Sequence, residues 1–376
     1  MTVRRQSSPV IHPTGRVDSR RCGDRDGRRA LRYHPVRRRP RRVGSGSVWF
    51  CGAGNSARSR LSAGHDWPPS KIKLTYHGTS LYNDYRGSCG TVFALTPPAL
   101  PGGAWTERVL DRFDGAHDGC GPYAGVVIGN DGVLYGTTLY GGTSGDGTVF
   151  ALSPPASPGG SWSKRTLHNF TGAPGDGYYP TGLLIGRDGV LYGATQGGGT
   201  GSCTDPFSGC GTVFSLTPPA SPEGAWTEAV LHNFAAGGDG ASPSGSLVMG
   251  SGPGGRPVLY GTTPSGGTGP CEVSLSYGCG TVFALAAPAS PGGAWTEATL
   301  HTFMGTAGDG AYPVAGLAIG SGPGGQPVLY GTNAGASSSG GIVFSLTPPA
   351  TEGGAWTETV LYTLPGSSDS SGPDAV

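Results

Sequence analysis

The chain has 376 residues, of which 72 are glycine and 33 proline, with 13% charged side chains and a formal net charge of +1. Without a period, such a composition excludes a packed domain and reads as disorder. The small net charge hides two opposite parts: residues 1–72 hold 16 Arg and one Lys against four Asp, a net of +13, and residues 73–376 carry a net of −12. That asymmetry marks a tail attached to a domain.

Residues 28–50, "RRALRYHPVRRRPRRVGSGSVWF", are the most basic stretch. Clustered arginine suits phosphate or a membrane surface. However, the segment is patternless, and no apolar run in it is long enough for a signal-peptide core. A translation begun in another frame of a GC-rich gene gives such text. Residues 1–72 are therefore expected to be disordered or a gene-model artefact, and nucleic acid is not the expected partner. The first repeat unit, opening near "KIKLTYHGTS" (71–80), reads as lacking its first strand. The C-terminus stops early at "SGPDAV", which reads as an incomplete frame.

From residue 73 the chain has a period. Trp105, Trp162, Trp226, Trp295 and Trp356 are spaced by 57, 64, 69 and 61 residues, and Phe93, Phe150, Phe214, Phe283 and Phe344 each precede their tryptophan by 12. Each unit reads as four strands. An apolar one ("AGVVIG", 124–129) is followed by an Asp-Gly turn suited to positive φ. The second is "VLYGTT" (133–138). The third, "GTVFAL", is a continuous apolar run ended by prolines that cannot donate to a ladder. The fourth follows "PGGAW", as in "TEAVLHNF" (227–234). No segment carries a 3.6-residue period. Four antiparallel strands repeated in tandem predict an all-β fold, a β-propeller of about five four-stranded units over residues 73–364, with a tail at 365–376. A parallel β-solenoid is the main rival, but its coils are shorter. About four apolar side chains per third strand, at roughly 1.5–3 kcal/mol each, cannot order a lone unit, so the units must stack.

The blocks "DGVLYGTT…GG…GTVFAL…LHNFTG…GDG" resemble the GloVer tandem repeat of Gloeobacter and Verrucomicrobia proteins over about three quarters of the chain. The resemblance implies a bacterial, exported or surface-anchored propeller. It supplies no catalytic residues.

Length varies in two loops. Between strands two and three, the two long versions contain Cys203 with Cys210 and Cys271 with Cys279. Each pair is predicted to staple its own loop as a disulfide, which implies an oxidising, extracellular or cell-surface location. Cys89 and Cys120 are a weaker candidate pair across a blade junction. No histidine or C-x-x-C knuckle accompanies these cysteines, so zinc is not expected there. In a propeller these loops share a face with the connections between blades, which hold Asp118, Asp176, Asp239 and Asp309.

His168, His232 and His301 share one repeat position, with Asp111 and Tyr362 at the same place elsewhere. They read as structural consensus, as do the "WTE" glutamates. Each Asp-Gly turn offers one carboxylate among glycines, too few for calcium. No catalytic, cofactor-binding or metal constellation is legible, and no transmembrane segment. The reading is a non-catalytic displayed scaffold. Its candidate binding face is Asp205, Phe207, Glu272 and Tyr277, and its partner is a glycan, a cell-wall polymer or a surface protein. The alternative is a carbohydrate-active enzyme, a glycoside hydrolase or lyase, on a five-bladed propeller.

Overall fold

A computed structural model describes residues 89–98 and 103–364, apart from 116, 158, 173, 204–208, 222–223, 274–275, 291, 307, 323–324, 336–340 and 352–353. Before residue 89 it describes five short strands. The repeat region is a propeller of five antiparallel sheets, or blades, each formed by consecutive strands. Blade two comprises Val127–Ile128, Leu134–Thr138, Thr148–Ser153 and Ser163–Asn169. Blade three comprises Gly177–Ile185, Leu191–Gly198, Thr212–Thr217 and Thr227–Asn233. Blade four comprises Val248–Ser251, Pro257–Thr263, Thr281–Ala286 and Thr296–Thr302. Blade five comprises Ala318–Ser321, Pro327–Thr332, Ile342–Thr347 and Thr357–Thr363. Helix among the described residues is confined to single short turns, such as Gly237–Asp239 and Pro253–Gly255.

Blade one departs from expectation. Tyr76–Leu81, Thr91–Thr96 and Thr106–Arg112 are its last three strands, and Ser56–Ser62 pairs with Tyr76–Leu81 where other blades have their first strand. Ser47–Cys51 pairs beyond it. The sheet thus reaches ahead of residue 73. Repeat grammar missed this because "SARSRLS" carries no apolar motif, while antiparallel pairing uses only the backbone.

The third strand lies in the middle of its blade and feeds two cores. In blade two, Phe150 and Leu152 pack back against Val92 and Phe113 of blade one. Val149 faces forward, with Phe170, onto Leu183, Leu191, Phe214 and Leu216 of blade three. The same alternation builds the junctions between blades three and four and between four and five. Edge-to-face pairs Phe113–Phe150, Phe170–Phe214, Phe234–Phe283 and Phe303–Phe344, with centroids 5.1–5.3 Å apart, run through these cores. Each phenylalanine on strand three lies over the glycine of "LYG". A β-carbon on Gly193 would stand 2.6 Å from the Phe214 ring, so the glycine is required for the contact.

First strands of neighbouring blades approach closely. A β-carbon on Gly182 would lie 2.0 Å from Ser246 Oγ, and one on Gly245 would lie 2.5 Å from Gly316 N. Threonine hydroxyls on the second strands lock the approach by donating to the next blade: Thr79 to Ala124 O (2.7 Å), Thr137 to Thr181 O (2.6 Å) and Thr262 to Ala315 O (2.8 Å). Away from these bonds, a tyrosine on strand two meets the next blade's tryptophan, as in Tyr135–Trp226, Tyr192–Trp295 and Tyr260–Trp356.

Candidate functional site

Strands three and four of every blade shift register between the valine and phenylalanine of strand three. In blade two Val149 pairs with His168 and Phe150 with Thr166, leaving Leu167 as the bulged residue. The bulge turns His168 toward blade three. There it meets the connecting Asp176 at 3.8 Å and lies near Glu228 of blade three's last strand. The arrangement recurs. His232 Nε2 is 3.0 Å from Asp239, beside Glu297. His301 Nε2 is 2.8 Å from Asp309 and 4.0 Å from Glu358. Burial first, and then the Asp309 charge and a hydrogen bond with it, push Glu358 up to about 7, against the pull of His301. Burial opposes ionisation of Asp309, but hydrogen bonds from His301 and Met304 N hold it below the usual carboxylate range. The first junction inverts these charges. Asp111 replaces the histidine and Lys164 the glutamate, and the Lys164 ammonium bridges Asp111 and Asp118.

A different cluster stands on the loop face between blades two and three. Asp146 ends the loop between strands two and three of blade two, where other repeats have Cys89, Cys210, Cys279 or Gly340. Its carbonyl accepts from Tyr179 N (3.0 Å). Equivalent bonds run from Gly121 N, Ser242 N and Tyr312 N to Cys89, Cys210 and Cys279. They hold the residue before each proline at positive φ, 56° for Tyr179, a conformation rare for a bulky side chain. Tyr179 packs edge-on against Tyr140 (5.0 Å) and Tyr178 (4.9 Å). Tyr140 is 43% exposed.

The two carboxylates here are driven apart. Burial and then the charge of Asp176 raise Asp146. Burial also opposes ionisation of Asp176, but the nearby His168 and hydrogen bonds from Thr171 and Gly177 N outweigh it and hold Asp176 low. Burial, then Tyr179 and Asp146, push the Tyr178 hydroxyl up to about 12. The cluster therefore joins a carboxyl whose proton affinity is raised, a carboxylate whose proton affinity is lowered, and an exposed aromatic surface. Asp146 was visible in the sequence as a carboxylate outside the repeat consensus. Its neighbours were not, because Asp176 reads as a turn residue.

The predicted disulfides are present: Cys203–Cys210 and Cys271–Cys279, together with Cys89–Cys120 across the first junction. Of the predicted binding face, Asp205 and Phe207 lie outside the described residues. Glu272 and Tyr277 pair in a small hairpin within the Cys271–Cys279 loop. No helix among the described residues is long and apolar enough to cross a membrane. The sequence offered no metal site, yet the fold brings His301, Asp309 and Glu358 together with ligand atoms all within 4.8 Å of one another.

A family model described as Gloeobacter/Verrucomicrobia repeat matches residues 74–321. No curated protein matches the chain by sequence. Among solved structures, the chain is similar to the GH93 α-L-arabinofuranosidase of Fusarium graminearum in complex with arabinobiose. The identity is 15%, covering 76% of this chain and 77% of that one, with a TM-score of 0.41. It is also similar to a glycoside hydrolase family 43 arabinoxylan arabinofuranohydrolase from Bacillus subtilis (15% identity, 86% and 67% covered, TM-score 0.37). A third is the GH43_1 enzyme from Xanthomonas citri complexed with xylotriose (14%, 83% and 92%, 0.34). These are carbohydrate-active enzymes. None of them is a non-catalytic scaffold, the reading expected from the sequence; all belong to the carbohydrate-active class kept as its alternative.

Proposed function

The chain belongs to the Gloeobacter/Verrucomicrobia repeat family, and on that premise we propose that it is a carbohydrate-active enzyme of glycoside-hydrolase type acting outside the cytoplasm. The observation that carries the reading is the Asp146–Asp176 pair beside Tyr140 and Tyr179. Glycosidic cleavage requires one carboxylic acid to protonate the leaving oxygen and one carboxylate to answer the developing positive charge. Groups whose surroundings drive their proton affinities apart supply both roles at one pH. Asp146 is the acid and Asp176 the anionic partner. Tyr140 offers a ring face of the kind on which the apolar side of a sugar stacks, and Tyr179 holds it in place. The cysteine-stapled loops, with Asp205, Phe207, Glu272 and Tyr277, are proposed to extend the contact to a longer glycan. Three disulfides support the extracytoplasmic setting.

The test is turnover by the purified full chain on plant and bacterial polysaccharides, with arabinan, xylan and fructan among them. Asp146→Asn is expected to lower kcat at least a hundredfold with little change in KM. Tyr140→Ala is expected to raise KM. Activity unchanged in Asp146→Asn would remove the assignment.

A further inference from the structure

At each of the last two junctions described, three distant parts of the chain converge: the strand-four histidine of one blade, the aspartate of the connection, and the glutamate on the last strand of the next blade. At the junction of blades four and five these are His301, Asp309 and Glu358, with ligand atoms within 4.8 Å of one another. Glu358 Oε1 is buried and has no hydrogen-bond partner. His301 packs edge-on against Phe303 and His232 against Phe234, both at 4.8 Å, which fixes the rings with Nε2 facing the carboxylates.

The first junction shows independently what this position accommodates. There the chain supplies its own cation, and Lys164 Nζ lies between Asp111 and Asp118, also donating to Arg112 O at 3.1 Å. The same three repeat positions thus hold two carboxylates at every one of these junctions. Where the ammonium is absent, an imidazole nitrogen faces the aspartate instead. The junction of blades two and three is set apart, because His168 stands 3.8 Å from Asp176, which is engaged by Thr171.

We propose that His301, Asp309 and Glu358 bind a first-row divalent cation of the zinc class across the junction of blades four and five. One imidazole and two carboxylates suit Zn²⁺, with a fourth position left for water. Calcium prefers oxygen ligands alone. A cation held by both blades binds only the folded junction and so stabilises it by mass action.

The test uses the full, tag-free chain, stripped with EDTA and titrated with Zn²⁺ alone by calorimetry and thermal melting. One zinc ion per chain and a higher melting temperature are expected. Glu358→Gln and His301→Gln should each abolish it. Asp111→His combined with Lys164→Glu should add one, because the pair installs a second donor set beside Asp118. If a loss-of-site variant misfolds by circular dichroism, X-ray absorption of the zinc-loaded native chain decides instead, with a shell of one imidazole nitrogen and carboxylate oxygens expected. No zinc bound, a stoichiometry unchanged by the substitutions, or a sulfur shell overturns the proposal and leaves the histidines as structural partners of the carboxylates.

Discussion

Lys164 of blade two forms an ion pair with Asp111 of blade one, at repeat positions where Glu358 and His301 face each other across the last junction described. The swap is compensated on both sides, so the position selects its neighbour. Lys164→Glu alone places three carboxylates together in a partly buried setting. It is expected to destabilise the protein by about 2–4 kcal/mol. Adding Asp111→His should restore most of that loss. Urea denaturation of the two single variants and the double variant measures the coupling; independent, additive losses would refute it.

Gly193 faces the Phe214 ring with no room for a methyl group. Gly193→Ala should cost about 2–4 kcal/mol through overpacking of a buried aromatic. The exposed Gly159, near which a β-carbon meets nothing within 4 Å, serves as the comparison. Its positive φ of 85° limits the loss on Gly159→Ala to about 1 kcal/mol. Equal melting temperatures for the two variants would contradict the packing argument.

The Tyr178 hydroxyl, pushed up to about 12 by burial, then Tyr179 and Asp146, gives a pH signature. Its folded value lies above the unfolded value near 10, so its neutral form is favoured in the native state. Stability from this group is complete below about pH 10 and is lost as the pH rises toward 12, by roughly 2–3 kcal/mol. Tyr178→Phe should flatten that limb. An unchanged alkaline limb in this variant would place the titration elsewhere.

For catalysis the sign runs the other way on each side. Asp146 must hold its proton and Asp176 must lose its own, so activity should fall as pH rises through the raised Asp146 value. It should fall again as pH drops through the lowered Asp176 value. The optimum is expected on the acid side of neutrality. A pH–rate profile that rises continuously to alkaline pH would be inconsistent with Asp146 as the acid.

The disulfides differ in reach. Cys89–Cys120 closes 31 residues and joins two blades, whereas Cys203–Cys210 closes only 7. Loop entropy makes removal of the first cost about 1 kcal/mol more than removal of the second. Paired cysteine-to-alanine variants compared under oxidising conditions test this.

The N-terminal boundary can be tested by truncation. Ser56–Ser62 pairs with Tyr76–Leu81, so deleting residues 1–46 should leave the melting temperature unchanged, while deleting 1–72 should lower it. Equal melting temperatures would show that the blade does not use this strand.

The strands from residue 76 onward, the blade count and the two loop disulfides were legible in sequence because each is local. A run such as "GTVFAL" is its own signal, and Cys203 lies 7 residues from Cys210. The junction clusters were not legible, although their parts were. His168, Asp176 and Glu228 each stood out as consensus, yet they meet only because a bulge at Leu167 turns the histidine toward a strand some 60 residues away. A repeat alignment does hold the clue, since Asp111 and Lys164 depart from consensus together. The pairing of Asp146 with Asp176 had no such signal, because it depends on two loops of different blades sharing one face.

The contacts of Gly182 with Ser246 and of Gly245 with Gly316 make each sheet a wedge, thin where first strands meet and thick where tyrosine meets tryptophan. The taper of that wedge sets the angle each sheet turns through, and hence how many sheets complete a turn. Side chains added along the thin edge would reduce the taper and demand more wedges. Gly182→Ala with Gly245→Ala is therefore expected to splay the array, seen in small-angle scattering as a larger radius of gyration. Insertions such as those at 250–257 and 320–327 lengthen the turns between strands one and two, beyond the ends of the packed strands. The repeats can therefore diverge at their loops while the geometry of the assembly stays fixed by a few residues without side chains.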